Sequence, residues 1–565
     1  MNIKKQLNKL IDTALRNSGI EVDLVRVNDA SKAEFGDYQF NGIMPLTKPL
    51  KRNPRDIAKQ VVENMPEHEM MAKLEIAGPG FINIWLDKDW LAKSLQSIGA
   101  DERLLVGKKE KPIKVVVDYS SPNMAKQMHV GHLRSTIIGD TLSKLFVFLG
   151  DEVIRQNHIG DWGTQFGMLI AYLEELGAEV SDSLSDLEQF YKDAKVRFDA
   201  DADFANKSRA YVVKLQGGDE YCLGLWKQFI DMSLGHCEEV YGRLGILLTR
   251  DDVRAESSYN DELQPVLGQL KDKKLLVESD GAQCVFIEGD ENPIIIQKSD
   301  GGFLYATTDL AAIRHRAQDL EAKRISYVVD ARQAGHFKQI FSVARSAGFV
   351  GEDVALEHIS FGMMLDKDGR PFKTRDGGTV KLIDLLDEAV SRAKTMMTQR
   401  DTTSTVDIDT AAQIVGIGAV KYAELSVNRE SNYIFDWDRM LSFEGNTALY
   451  LQYAYARIQS IFRKHDGAVD GKIVLEDELE RRLALTLLRF DDALVGAASE
   501  SMPHYISGYL YDLTTLFMKF YEQNPILKDG VSDELRDSRL MLAKLVADTI
   551  KQGLEILGIK VLDRL

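Results

Sequence analysis

Apolar positions recur at helical spacing from the start of the chain: Ile3, Leu7, Leu10, Ile11 and Leu15 fall on one face. Asp12 and Arg16 interrupt any continuous apolar run there, so an amphipathic helix is predicted rather than an export signal. Further on the period shortens. Phe81, Ile82, Asn83, Ile84 and Trp85 follow the turn residues Gly78, Pro79 and Gly80 and predict a strand. From about 113 to 444, short β-branched or apolar runs alternate with longer helical stretches. Val115–Asp118, Val153–Gln156, Ile294–Lys298, Ile325–Val329 and Leu356–Ser360 are the predicted strands. Their alternation with helices predicts an α/β fold built on a doubly wound parallel sheet. The polar, helix-rich stretch from about 170 to 290 is predicted to be an insertion between the halves of that sheet. Beyond about 445 the pattern is almost purely helical. Gly445, Asn446 and Thr447 signal a helix start, and Leu449, Tyr453 and Ala456, with Leu451, Tyr455 and Ile458, continue at helical spacing. Leu510–Phe520 and Leu540–Leu557 extend the pattern.

Three blocks follow from this: 1–107, 108–444 and 445–565, with KKEKP at 108–112 as a linker. A chain of 565 residues is indeed too long for one ordinary core. Hydrophobic content of 44% with 28% charged residues suits a soluble globular enzyme. No apolar stretch approaches the roughly 18 residues of a membrane span. The net charge of −17 argues against indiscriminate binding of nucleic acid, while leaving room for an RNA ligand held by local basic patches. Cys222, Cys237 and Cys284 are far apart and form no CxxC pair, so neither a disulfide framework nor a structural zinc site is expected, and a reducing cytoplasm fits. No GxxxxGK[ST] loop occurs, which excludes a Walker-type ATPase.

The densest chemistry lies between Val115 and Gln165. A β-branched run, Val115 to Val117, is followed by a loop from Asp118 to Met128, and His129, Val130, Gly131 and His132 then open a helix. Glycine allows close backbone approach, a helix N-terminus presents unpaired N–H groups to anions, and two imidazoles add donors. A nucleotide phosphate suits such a place. The four letters alone fit a pair of helix-capping histidines equally well.

The longer run SSPNMAKQMHVGHLRSTIIGD resembles the signature of the arginyl-tRNA synthetases, a family of class I aminoacyl-tRNA synthetases whose first signature is HIGH. The resemblance continues through NHIGDWGTQFG at 157–167, YATTDLAA at 305–312 and FGMMLDKDGRPFKTRDGGTVKLIDLLDEA at 361–389, and so spans the chain. It implies a small α/β N-terminal domain that contacts the outer corner of tRNA, a Rossmann-like catalytic domain with an insertion, and a helical anticodon-binding domain. It implies arginine, Mg-ATP and tRNA(Arg) as substrates and a requirement for tRNA even in activation; no resident metal is expected. A monomer is expected.

The resemblance also implies roles for residues. His129, Gly131 and His132 act on ATP, within a signature that includes Pro122, Asn123, Met124, Ala125, Gln127, Met128 and Val130. The second signature of the class, KMSKS, corresponds to Pro371, Phe372, Lys373, Thr374 and Arg375, where one of the two usual lysines is missing. Lys126, three residues before His129, is inferred to replace that cation. Asp118, Ser121 and Asn123, beside His129, match the positions that hold the amino and carboxylate region of arginine. Tyr305 and Asp309 match the guanidinium pair, a carboxylate being matched to the guanidinium fork. Thr307 and Thr308 are N-cap candidates, which would put Asp309 in a first helical turn, where spacing alone would assign it to the helix dipole. Gln333 and His336 match contacts to substrate and to the ATP ribose. Gly362 and Met363 match the stretch that meets adenine, and Thr374 and Arg375 belong with ATP.

For tRNA, Phe35, Tyr38, Gln39 and Asn41 could stack on and hydrogen-bond an unpaired D-loop base, though core packing explains Phe35 as well. Arg457, Arg463, Lys464 and Tyr509 are weak candidates for the anticodon stem; for each alone, a solvated helix face fits better. The chain ends Leu562, Asp563, Arg564, Leu565, which departs from the family's usual ending. Two rival functions remain. A small-molecule nucleotidylyltransferase is opposed by the length, the helical final third and the YATTD segment. A catalytically silent tRNA-binding paralogue is opposed by intact His129, His132 and Lys126.

Overall fold

The computed structural model describes residues 2–177, 187–290, 292–372, 380–400, 407–465 and 467–565. The first helix, Ile3–Asn17, starts at Asn2, whose side chain accepts from the Lys5 amide, and it buries Ile3, Leu7, Ile11, Ala14 and Leu15. Beside it lies an antiparallel sheet of β1 (Val27–Asp29), β2 (Tyr38–Phe40), β3 (Met71–Ala77) and β4 (Phe81–Leu86) in the order β1-β2-β4-β3.

The central sheet is parallel throughout. It contains β5 (Lys114–Asp118) and β6 (Glu152–Gln156), then, after the long helical insertion, β10 (Arg324–Tyr327) and β11 (Ala355–His358). The order is β11-β10-β5-β6. Val115, Val116 and Val117 are fully buried, as a strand covered on both faces requires. The chain reverses its direction of growth between β5 and β10, so a crevice opens outside their carboxyl ends. Asp118 and Tyr327 are register partners at that edge.

One predicted strand belongs elsewhere. Ile294–Gln297 is β9 of a small antiparallel sheet with β7 (Val277–Ser279) and β8 (Ala282–Val285). Ile294 and Ile296 are buried while Ile295 is 40% exposed, the alternation of a half-covered sheet. A short apolar run does not reveal whether one face or two will be covered. The insertion includes the helices Thr164–Leu176, Leu187–Ala200, Ala202–Gln216 and Glu220–Leu244. A further parallel pair, β12 (Met364–Leu365) with β13 (Tyr433–Ile434), leads toward the final helices.

The helix Ala448–Lys464 begins where the sequence signals it, with Thr447 accepting from the Tyr450 amide. It is followed by Glu478–Leu488, Phe490–Glu500, His504–Gln523 and Asp533–Ile556. This bundle clasps the N-terminal sheet. Arg481 pairs with the Asp37 carboxylate, which also accepts from the Leu86 amide. Arg489 donates to the Asp37 carbonyl at 2.9 Å and to the Tyr38 hydroxyl. Asn2 donates to Asp491 and Asp492.

Candidate active site

The loop leaving β5 is held in strained backbone. Ser120, Ser121 and Ala125 lie at φ of 71°, 45° and 67°. Their amides are secured by side chains from three elements: Ser135 Oγ at 2.9 Å, Asn157 Oδ1 at 3.0 Å and Ser233 Oγ at 2.9 Å. Pro122, Met124, Ala125 and Met128 are buried, so part of the signature is packing. Gln127 is half-buried, and Asn123 is exposed and bridges to Gly160.

The helix Val130–Phe148 starts at the crevice with His129 as N-cap. His129 Nδ1 accepts from the Gly131 amide at 3.0 Å, and His132 Nδ1 accepts from the His129 amide at 3.1 Å. With both Nδ1 atoms occupied as acceptors, each neutral ring carries its proton on Nε2. Burial, followed by the neighbouring His129, pushes His132 down to about 4. Burial and then the Lys126 charge lower His129. The pair is therefore neutral near pH 7 and acts through N–H donors, so any cation must come from elsewhere. Capping occupies only the Nδ1 atoms, so it does not preclude donation from Nε2–H to an anion. Gly131 has a local reason as well: a Cβ there would lie 2.7 Å from His129 Cε1.

Lys126 is exposed, with Nζ 4.8 Å from the centre of the Tyr191 ring of the insertion. Lys373, Thr374 and Arg375 lie outside the described residues. Their flanks are tied to the site: the Phe372 amide donates to Met364 O, Val130 N donates to Val380 O at 3.1 Å, and Leu382 N donates to Met128 O at 2.9 Å.

On the other side of the crevice stands the helix Tyr305–Arg314. Its N-cap is Leu304, not Thr307 or Thr308. Thr307 is buried, and its hydroxyl donates to the Ile296 carbonyl at 2.5 Å instead of capping. Asp309 thus falls in the second turn, too far in to be explained by the helix dipole. Its Oδ2 is 2.6 Å from His336 Nε2, and the Tyr305 ring centre is 5.0 Å from that of His336. The structure brings Tyr305, Asp309 and His336 together, with exposed Gln333 as N-cap of the helix Ala334–Ala347 that carries His336.

Asp118 differs from expectation. Oδ1 accepts from Ser121 Oγ at 2.9 Å, and Oδ2 accepts from Arg316 Nη2 at 2.7 Å. Arg316 is fully buried and also donates to Gln156 Oε1 at 2.6 Å. Asp118 is therefore an ion-paired anchor for Ser121 rather than an open acceptor for a substrate amine. Two residues were missed by sequence reasoning, Arg316 and Glu256. Glu256 is half-buried, and its amide donates to Ile159 O. Burial, then the charges of Asp161 and Asp309, raise its carboxyl to about 7. No spacing in the sequence marks either residue, because their partners lie far along the chain.

Gly362 and Met363 lie at the turn before β12. The Gly362 amide donates to Arg429 O at 2.9 Å, and the Met363 amide donates to Asn432 Oδ1 at 2.7 Å. Met363 is 39% exposed and presents an apolar side chain.

The expected tRNA contacts divide. Tyr38 is fully buried and receives a hydrogen bond from Arg489, so it cannot stack on a base; the helical bundle covers it. Tyr509 is likewise packed, its ring centre 5.5 Å from that of Phe490 and its hydroxyl donating to Thr486 O at 3.0 Å. Arg463 is committed to the Asp563 carbonyl. Arg457 lies 5.3 Å from the rings of both Tyr453 and Tyr521. Phe35 is half-buried under Lys32, Gln39 donates to Asn83 Oδ1 at 2.7 Å, and Asn41 Oδ1 is buried without a hydrogen-bond partner. The three cysteines are free, buried and apart, and among the described residues no group of three or more His, Cys, Asp or Glu could hold a metal. No helix of the described residues is long and apolar enough to cross a membrane.

A parallel sheet with an imidazole-capped helix at its switch point is the arrangement of a class I tRNA synthetase. The family model described as tRNA synthetases class I (R), catalytic domain, matches residues 94–437. The arginyl tRNA synthetase N terminal domain matches 2–86, and the DALR anticodon binding domain matches 451–565. The chain belongs to the arginyl-tRNA synthetase family. It is 54% identical to an arginine--tRNA ligase of Cellvibrio japonicus and 53% identical to one of Pseudoalteromonas atlantica, each covering 100% of both chains. Among solved structures it is similar to arginyl-tRNA synthetase from Plasmodium falciparum, with a TM-score of 0.87 and 32% identity over 100% of this chain and 99% of that one. It is also similar to that of Thermus thermophilus, with a TM-score of 0.86 and 25% identity over 100% of both chains.

Proposed function

We propose that the chain is an arginine--tRNA ligase that works in two steps. The arginine carboxylate attacks the α-phosphorus of ATP, pyrophosphate leaves, and arginyl-adenylate forms. The 2′-hydroxyl of the terminal adenosine of tRNA(Arg) then attacks the carbonyl carbon, and AMP leaves. Mg²⁺ enters with ATP as part of that substrate. Little covalent chemistry falls to the protein, whose work is positioning and stabilising charge.

In this reading the Nε2–H groups of His129 and His132 donate to phosphate oxygens as charge builds on them. Lys126 and Lys373 supply positive charge, with Thr374 and Arg375 beside the phosphates. Gly362 and Met363 meet adenine, and His336 meets the ribose. Ser121, Asn123, His129 and Gln333 receive the amino and carboxylate region of arginine, with Asp118 holding Ser121 in place. Tyr305 and Asp309 grip the guanidinium, and Glu256 is a second carboxylate for it. Phe35, Gln39 and Asn41 remain the N-terminal candidates for tRNA, and Arg457 the one in the bundle. The protein acts as a cytoplasmic monomer without structural zinc.

The observation that carries the reading is the grouping of Tyr305, Asp309 and His336: Asp309 Oδ2 lies 2.6 Å from His336 Nε2, and the Tyr305 ring centre lies 5.0 Å from that of His336. A carboxylate beside an aromatic ring suits a planar cation such as a guanidinium. The test is aminoacylation of total tRNA with each common amino acid, beside pyrophosphate exchange with and without tRNA. Charging with arginine alone, and exchange only with tRNA, is the expected result. Exchange with a small acceptor in the absence of RNA would favour a nucleotidylyltransferase, and failure to charge any tRNA would favour a silent paralogue.

A further inference from the structure

We propose that Arg134 is a positioning residue for ATP: it holds the Gly362–Met363 turn in register with His129 and His132. The inference rests on the reading that this turn meets adenine while the histidines face the phosphates.

Arg134 lies two residues after His132 on the same helix and is 2% exposed. Its Nε donates to Glu424 Oε1 at 2.6 Å, and Nη1 donates to the Ser431 carbonyl at 3.1 Å. The guanidinium carbon is 5.7 Å from the Phe361 ring centre and 5.2 Å from that of Tyr433. The next residue along, Asn432, accepts the Met363 amide. Gly362 is pressed so closely on this segment that a Cβ would lie 2.7 Å from Asn432 Oδ1 and from Ser431 O. Tyr433 continues it as the register partner of Met364. A path of direct contacts thus runs from the histidine helix through Arg134, Ser431 and Asn432 to the turn.

Stability alone does not explain the arrangement. A buried ion pair is commonly no more stabilising than well-packed apolar residues of similar volume, because desolvation offsets the attraction. What the planar guanidinium adds is direction: it bonds Glu424 and Ser431 together from one rigid fork, which a lysine cannot do. ATP touches both ends of the path, adenine at one and phosphates at the other. In the proposed reading arginine meets His129 at one end only and neither Gly362 nor Met363 at the other. Loss of register should therefore penalise ATP selectively.

The experiment uses the full-length protein with tRNA, measuring pyrophosphate exchange as a function of ATP and of arginine. In Arg134→Lys the expected result is a rise of about tenfold or more in KM for ATP with a lowered kcat, while KM for arginine stays within about twofold. The paired variant Arg134→Met with Glu424→Leu should melt as cooperatively as the parent and still show the ATP defect. Gly362→Ala tests the underlying reading. A parent-like KM for ATP in Gly362→Ala removes the adenine assignment and the inference with it. An ATP defect in Gly362→Ala, with parent-like ATP kinetics in Arg134→Lys, overturns the inference alone. Equal losses for ATP and arginine in Arg134→Lys also overturn it, since a merely structural role predicts that pattern.

Discussion

Glu256 offers a prediction whose sign and size both come from its surroundings. Without arginine its carboxyl is raised to about 7, first by burial and then by the Asp161 and Asp309 charges. It is thus about half protonated at pH 7. A bound guanidinium favours the ionised form, so arginine binding expels a proton wherever Glu256 was protonated. The apparent dissociation constant then scales as one plus ten to the power of seven minus pH. That factor is about 1.1 at pH 8, about 2 at pH 7 and about 11 at pH 6, so arginine binding should weaken about tenfold from pH 8 to pH 6. His132, at about 4, does not titrate in this window. Glu256→Gln removes both the charge and the titration. A charge-assisted contact is worth roughly 1.5–3 kcal/mol, so at pH 8 the variant should bind arginine about tenfold to a hundredfold more weakly. Its affinity should depend less on pH from 6 to 8 than the parent's. Calorimetry at pH 6, 7 and 8, in two buffers of different ionisation enthalpy, measures affinity and proton release together. A parent protein with no pH slope and no proton release, or a Gln variant that keeps the parent's slope, would refute the reasoning.

Lys126→Ala should impair pyrophosphate exchange severely with a smaller effect on KM for arginine, and Arg375→Lys should restore part of the loss; near-parent exchange would make Lys126 a solvated side chain. His132→Ala should slow adenylate formation by about 10²–10³, because a donor used in the transition state is lost, while circular dichroism shows a retained fold. Asp309→Asn should lower kcat/KM for arginine about tenfold or more and leave KM for ATP near the parent's, and an unchanged arginine efficiency would remove Asp309 from the pocket.

What was legible in the sequence was local. The start of the helix at Thr447 could be found because a cap is made by residues three apart, and Val115 to Val117 because a strand covered on both faces needs three apolar residues in a row. Ile294 to Ile296 looked the same in letters, yet one face of that strand meets solvent. Thr307 looked like a cap, but the preceding strand, β9, claims its hydroxyl. Tyr38 and Tyr509 looked available for RNA because nothing nearby in sequence covers them; Tyr38 is covered by Arg489, 451 residues away. Arg316 and Asp118 are 198 residues apart, so their pairing could not be anticipated from spacing. The chemistry of the site was read through motifs, but the state of its groups depends on such remote partners.

The clasp between the two ends of the chain bears on how the protein is made. Arg481 and Asp37 are 444 residues apart, and Asn2 and Asp492 are 490 apart. At about 5–20 residues per second, a ribosome needs roughly 20–90 s to bring out that partner after Asp37 has emerged. Through that interval the N-terminal sheet exposes the Tyr38 face that the helical bundle will later cover, and its Asp37 carboxylate waits in water. The first block to be synthesised is thus among the last to be completed, and a nascent chain arrested before Arg481 should offer that face to chaperones and proteases.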